Sequence, residues 1–216
     1  MLGETLNTHL QIDCSGEIFN SFAASDGLLS NEVGYGGTMA TYWRWRHRPN
    51  RKGTTVAVGT LIHRWQAELF PGLWELTRGL HTRFIVLYRE NLLRHFISEL
   101  IAMQTGRWTS DPATLVGIPR VTVDPEALRI FVATRYRERA EDWRFQPRIE
   151  YSMERLMRDW EAVSTRIQQF IGVSQVPLVR TKQKQETRKL SDILANYDEV
   201  VETVAQLKHP EWLDQE

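Results

Sequence analysis

Short apolar runs alternate with longer amphipathic segments along the chain. The β-branched run "TTVAVGTLI" and the apolar run "RFIVLY" predict two buried strands, and "RIEYS" is predicted to be a third strand. "QIDC" near the start predicts a further short strand before a glycine turn. Strands that alternate with helices indicate an α/β fold with a mainly parallel sheet, and residues 1–216 are expected to form a single domain.

The helical segments have recognisable ends. After "RFIVLY" the apolar residues recur at i, i+3 and i+4 from Leu92 to Ile101, and Gly106 is placed to end that helix. Asp124 and Pro125 are the expected N-cap and first position of "DPEALRIFVATRYRERAEDW". The other predicted helices are "MLGETLNTHL", one or two short helices in "HRWQAELFPGLWELTRGL" with Pro71 opening the second, and "MERLMRDWEAVSTRIQQFIG". The segment "LSDILANYDEVVETVAQL" follows a polar, basic stretch.

Composition narrows the class of protein. The formal net charge is zero, which argues against a general nucleic-acid binder. Cys14 is the only cysteine, so no internal disulfide can form, and we expect a reducing, cytoplasmic setting. No apolar run approaches the roughly 20 residues needed to span a bilayer, and "MLGETLNTHLQ" lacks the features of a signal peptide.

A polar turn follows the strand "RFIVLY" and predicts an anion site. Arg89 lies at the strand end, and Arg94 and Ser98 share one face of the following helix at i, i+4. Ligands of open α/β sheets bind beyond the carboxyl ends of the strands, where helix N-termini offer free N–H groups. Guanidinium groups and a hydroxyl there suit a phosphate or sulfate. The same residues are also consistent with a capped surface helix that carries solvated arginines.

The segment "LYRENLLRHFISELIAMQTGRW" resembles the 3′-phosphate-binding segment of sulfotransferases that use PAPS, 3′-phosphoadenosine 5′-phosphosulfate. It is most similar to the bacterial and cyanobacterial branch with an R-x-N-L-L-R turn, which includes carbohydrate sulfotransferases. The resemblance implies that Arg89 and Ser98 hold the 3′-phosphate, and the spacing between them in this branch allows Arg94 to share the role.

Three further segments resemble the same family, in the family's order. "LNTHLQIDCSGEIFN" is similar to the segment whose glutamate is proposed as the general base, and this glutamate maps to Glu17. "RIEYSMERLMRDWEAVSTRIQQFIGV" resembles a largely structural segment. "RTKQKQETRKLSDILANYDEV" resembles the C-terminal stretch in which a basic loop, here residues 180–189, closes over the cofactor. Lys182, Gln183 and Arg188 are its candidate contacts, and each of them could equally be solvated.

The resemblance implies a three-layer, P-loop-like α/β/α fold and transfer of a sulfuryl group from PAPS to a hydroxyl acceptor. The family's 5′-phosphosulfate loop has no counterpart in this sequence and would lie upstream of Met1. Met1 is then either an internal methionine of a longer gene product or the start of a truncated, degenerate relative, and the intact remaining motifs favour the first. The alternative function is a non-catalytic sulfotransferase-like protein that binds a partner or a glycan. "VAVGTLIH" also departs from the family, because Thr60 follows Gly59 where relatives often carry a lysine.

The irregular region 25–54 is the expected acceptor-binding region. Its segment "YWRWRHRPNRK" interleaves aromatic residues with arginines, and Arg44, Trp45 and Arg46 are the candidate acceptor contacts. A small molecule or glycan fits better than single-stranded nucleic acid, and a surface loop remains an alternative. The six histidines show no paired metal spacing, so no metal is expected. His9 is expected to have a structural role.

Overall fold

The structure is a computed structural model. It describes residues 2–14, 53–64, 66, 73–79, 82–106, 120–141, 144–179 and 188–214. Within these residues the protein is mixed α/β, as the alternation of patterns predicted, and no helix there is long and apolar enough to cross a membrane.

Most of the described elements lie within the predicted segments, but several are shorter than predicted. The strands are β1 (Ile12–Cys14), β2 (Ala57–Gly59), β3 (Phe84–Tyr88) and β4 (Arg148–Ser152). The helices are α1 (Leu2–Leu6), α2 (Leu73–Gly79), α3 (Leu92–Thr105), α4 (Pro125–Ala140), α5 (Met153–Arg158), α6 (Trp160–Ile171), α7 (Leu190–Ile193), α8 (Tyr197–Gln206) and α9 (Glu211–Asp214).

The strands form two small sheets where the sequence suggested one mainly parallel sheet. β1 and β2 pair in parallel, with Ile12 opposite Ala57, and β3 and β4 form the second pair. The prediction that "TTVAVGTLI" is buried is wrong, since Val56 and Val58 are 62% and 41% exposed. β3 is half-buried along its whole length. The residue pattern therefore predicted where the strands lie, but it did not predict how deeply their side chains are buried, because burial depends on what packs against each face.

Residue contacts divide the chain into two compact units. The first unit contains Met1–Val86, Phe145–Tyr151 and Arg155–Thr181. Its α6 is tied to the extended chain that follows it, because the fully buried amide of Gln168 donates to the carbonyl of Val176 and accepts from the Val176 N–H. The indole of Trp160 donates to the carbonyl of Leu178 at 2.8 Å. These bonds satisfy backbone groups of a segment that has no strand partner among the described residues.

The second unit contains Leu87–Arg144, Ser152–Glu154 and Lys182–Glu216. Its helices bury one apolar cluster, in which Leu93, Leu128 and Ile193 are completely inaccessible to solvent. The predicted helix ends are confirmed: Asp124 caps α4, Pro125 is its first residue, and α3 ends at Gly106 in the left-handed conformation. Local capping therefore marks the start of α4 and the end of α3, and the apolar stripe of α3 faces the cluster.

A polar cluster links α3 to α4 in the second unit. Glu99 accepts hydrogen bonds from His95 at 3.1 Å and from Arg135 at 3.2 Å. Burial alone would raise the pKa of Glu99, but the hydrogen bond and charge of His95, together with the charge and hydrogen bond of Arg135, lower it below the usual value of a glutamate. The ionised carboxylate therefore stabilises the folded state at pH values above the usual pKa of a glutamate.

Glu99→Gln is expected to lower the free energy of unfolding at pH 7 by about 1–2 kcal/mol. Because the folded pKa is lowered, the contribution of the carboxylate is present above the usual pKa of a glutamate and disappears as the pH falls through the folded pKa. Urea unfolding at pH 7 and at pH 3 would measure the loss of stability and its dependence on pH. The difference between variant and wild type should shrink at pH 3, whereas Glu126→Gln, in an exposed pair with Arg129, should change little at either pH. An equal deficit at both pH values would contradict this account.

Candidate anion-binding site

The turn between β3 and α3 presents an arginine to solvent. Arg89 follows Tyr88, the last residue of β3, and its side chain is exposed. No hydrogen bond or ion pair engages its guanidinium within the part of the chain that the structure describes. An exposed guanidinium that makes no hydrogen bond to a described residue can form a bidentate contact with a phosphate or sulfate.

Asn91 shapes the N-terminus of α3. It is 2% exposed, and its side-chain oxygen accepts the backbone N–H of Arg94 at 2.9 Å. The backbone of Asn91 is extended, as an N-cap requires, and its carbonyl accepts the N–H of His95 at 3.1 Å. The cap pairs the backbone N–H of Arg94, which would otherwise be free, and so fixes the backbone position from which the Arg94 side chain extends.

The structure brings together two of the predicted cofactor segments. The guanidinium of Arg94 is half-buried, and its two terminal nitrogens lie 3.3 and 3.4 Å from the backbone oxygen of Arg188. Arg188 is itself half-buried, at the end of the basic loop 180–189. These residues are 94 positions apart in the chain, so only the fold of the second unit makes them neighbours.

Ser98 lies one turn further along α3 than Arg94. Its side chain is half-buried, so part of it remains accessible to a ligand. Its hydroxyl has no hydrogen-bond partner among the residues with a described position. The i, i+4 spacing on a confirmed helix places Arg94 and Ser98 on the same face, as predicted.

A carboxylate already lies at this turn. Glu154 accepts the backbone N–H of Glu90 at 3.0 Å, and both residues belong to the second unit. The Glu90 amide is therefore already paired with a protein carboxylate. Because a bound phosphate would be repelled by this carboxylate, its contacts are expected from Arg89 and Ser98 rather than from the Glu90 amide.

A second arginine at the strand end was missed by the sequence analysis. The guanidinium carbon of Arg139, on α4, lies 3.4 Å from the ring centroid of Tyr88. This cation–π contact brings a further positive charge to the end of β3. The sequence held no signal for it, because Arg139 is one of several arginines in a long helix.

The remaining predicted contacts lie outside the described residues. They are Glu17, Arg44, Trp45, Arg46, Lys182 and Gln183. The structure gives no position for the predicted base, the acceptor contacts or most of the basic loop.

His9 has the structural surroundings expected of it. It is 3% exposed, its Nε2 lies 2.8 Å from the carbonyl oxygen of Ser174, and its Nδ1 accepts the N–H of Gln11 at 2.9 Å. Both ring nitrogens are therefore used in holding the first unit together. In the described ranges, no three His, Cys, Asp or Glu side chains group as metal ligands would.

Comparison with known proteins gave no match, either among protein-family models or among curated proteins and solved structures.

Proposed function

We propose that the protein is a PAPS-dependent sulfotransferase whose turn between β3 and α3 binds the 3′-phosphate of the cofactor. The resemblance of four ordered segments to this family motivates the proposal. The proposal includes the family's three-layer, P-loop-like fold, of which the described α/β elements would be a part. The acceptor is a hydroxyl compound, and the resemblance to the branch that includes carbohydrate sulfotransferases makes a carbohydrate the first acceptor to test.

The contact between Arg94 and Arg188 is the observation that supports the proposal best. A cofactor that is held by both the β3–α3 turn and the 180–189 loop requires these two segments to be adjacent. The guanidinium of Arg94 lies against the backbone of Arg188, which meets that requirement. The neighbouring groups also fit an anion, since Arg89 and Ser98 have no competing partner in the described part of the chain.

The roles of the residues follow from their chemistry. When bound, PAPS supplies an activated sulfuryl group, with a phosphate as the leaving group. Arg89 and Ser98 anchor the 3′-phosphate by charge-assisted hydrogen bonds, and Arg94 holds the end of the basic loop beside them. Glu17 takes the proton of the acceptor hydroxyl as the acceptor oxygen attacks sulfur. The new O–S bond forms as the bond from sulfur to the phosphate oxygen breaks, which releases adenosine 3′,5′-bisphosphate.

Calorimetric titration of adenosine 3′,5′-bisphosphate into the full-length gene product tests the site. Arg89→Ala and Ser98→Ala are each expected to raise Kd, by about 10- to 100-fold for the arginine and less for the hydroxyl. Arg89→Lys keeps the charge but loses the planar fork, so its Kd should fall between those of wild type and Arg89→Ala.

Arg166→Ala serves as the control, because it removes an exposed arginine of α6 in the first unit. Its Kd should equal that of wild type. If the unmodified protein does not bind the bisphosphate, or if Arg89→Ala and Ser98→Ala bind as tightly as Arg166→Ala, the proposed site is wrong.

A further inference from the structure

A chain of contacts joins the N-terminus of α3 to the C-terminal segment Lys208–Asp214, which we call the C-terminal latch. The side chain of Asn91 donates through Nδ2 to the backbone carbonyl of Trp212 at 2.8 Å, across 121 positions of sequence. The same side chain accepts the N–H of Arg94 through Oδ1. The buried side-chain amide of Asn91 therefore bonds to the latch through its nitrogen and to the first turn of α3 through its oxygen.

The latch is itself held firmly in the second unit. The indole of Trp212 is 2% exposed and stacks on His209, with ring centroids 4.2 Å apart and planes 3° from parallel. Lys208 adopts a positive φ of 63°, which turns the chain sharply after α8. The short α9 is thereby brought back against the core, where Trp212 belongs to the main apolar cluster.

His209 fastens the latch to α4. Its Nδ1 lies 2.7 Å from Glu211 Oε1 and its Nε2 lies 2.8 Å from the hydroxyl of Tyr136. Because an ionised carboxylate only accepts, Nδ1 carries the proton and Nε2 accepts from Tyr136 in the neutral ring. The hydrogen bond from His209 lowers the pKa of Glu211, which keeps this carboxylate ionised. Burial, with the charge of Glu211, raises the pKa of Tyr136, so its hydroxyl remains a donor.

We propose that Asn91 is a positioning residue through which the C-terminal latch sets the first turn of α3 and, with it, the direction of Arg94. An asparagine cap can rotate about its side-chain bonds, and the Trp212 carbonyl selects the one orientation in which Oδ1 faces the Arg94 N–H. Without the latch, the buried Nδ2 loses its acceptor, and the cap loses the contact that orients it. The consequence for ligand affinity rests on the proposed function, whereas the coupling within the protein does not.

A double-mutant cycle read by amide hydrogen exchange tests the coupling without any ligand. His209→Ala removes the stacking on Trp212 and both side-chain bonds, and is expected to speed exchange of the Arg94 amide by about tenfold. The amide of Val132, in the core of α4, should change much less. Asn91→Ser keeps a hydroxyl that can cap Arg94 but cannot span the distance to Trp212. In the Asn91→Ser background, His209→Ala should have little further effect on the Arg94 amide.

Two variants serve as controls for the latch. Trp212→Phe keeps the backbone carbonyl and an aromatic ring that can stack on His209, so it should preserve slow exchange at Arg94. Glu202→Gln changes an exposed residue of α8 and should alter nothing. If His209→Ala unfolds the protein, Tyr136→Phe provides a milder loss of one hydrogen bond, with the same direction of effect.

The results separate the latch from the proposed function. Additive effects of Asn91→Ser and His209→Ala, or equal acceleration at Arg94 and Val132, would overturn the positioning role. Coupled exchange, with a Kd for adenosine 3′,5′-bisphosphate raised about three- to tenfold in His209→Ala, would support it. Failure of the wild-type protein to bind the bisphosphate would overturn the proposed function, and the exchange cycle would still decide whether the latch acts through Asn91.

Discussion

Glu17→Gln is expected to reduce turnover by about 10²- to 10⁴-fold, the range found when a general base is removed. The amide has nearly the same size as the carboxylate, but it cannot take the proton of the acceptor hydroxyl. The proposed phosphate anchors lie in another segment, at the turn between β3 and α3, so Kd for adenosine 3′,5′-bisphosphate should change by less than about threefold. A rate assay with PAPS and an acceptor, combined with the calorimetric titration, measures both quantities.

The pH dependence of turnover makes this test more specific. A general base must be ionised to act, so wild-type turnover should fall as the pH drops below the pKa of the base, and Glu17→Gln should lose that limb of the profile. Glu161→Gln, at an exposed position of α6, provides the matched control and should keep both the rate and the profile. Undiminished turnover in Glu17→Gln would exclude Glu17 as the base. Bisphosphate binding by a full-length protein that transfers no sulfuryl group would favour the non-catalytic alternative.

Leu93→Ala is expected to lower the free energy of unfolding by about 2–5 kcal/mol. Leu93 is completely buried on α3, in the apolar cluster of the second unit, so the substitution removes buried surface and leaves a cavity. Alanine is the better helix former, so the loss would come from packing and not from the helix itself. Because domains are stable by only about 5–15 kcal/mol, the variant should unfold at clearly lower urea concentration.

Met103→Ala provides the matched control on the same helix. Its side chain is 58% exposed, and the expected change is within about 1 kcal/mol. Equal stabilities of Leu93→Ala and Met103→Ala would contradict the assignment of the buried face of α3. This face also matters to the candidate site, because its packing holds the helix from which Arg94 and Ser98 project.

Local chemistry explains why several elements could be predicted accurately. Asp124 and Pro125 mark the start of α4, Gly106 marks the end of α3, and "RIEYS" coincides with β4. Each of these signals depends on residues that are neighbours in sequence. A less local feature was missed at Asp159, where the predicted single helix divides into α5 and α6. The burial of β2 was also predicted wrongly, because it depends on what packs over the strand.

The sequence by itself supplied the candidate residues for an anion site and, among the described residues, the positions of most helices and strands. Charge, capping groups and apolar periodicity are properties of short segments, and they identified Arg89, Arg94 and Ser98 as candidates. Only the tertiary structure placed the guanidinium of Arg94 against the backbone of Arg188, and Asn91 against the carbonyl of Trp212. Both contacts join a side chain to a backbone oxygen far away in sequence. Since every residue carries the same carbonyl group, no residue pattern could have revealed which one the fold would bring within reach.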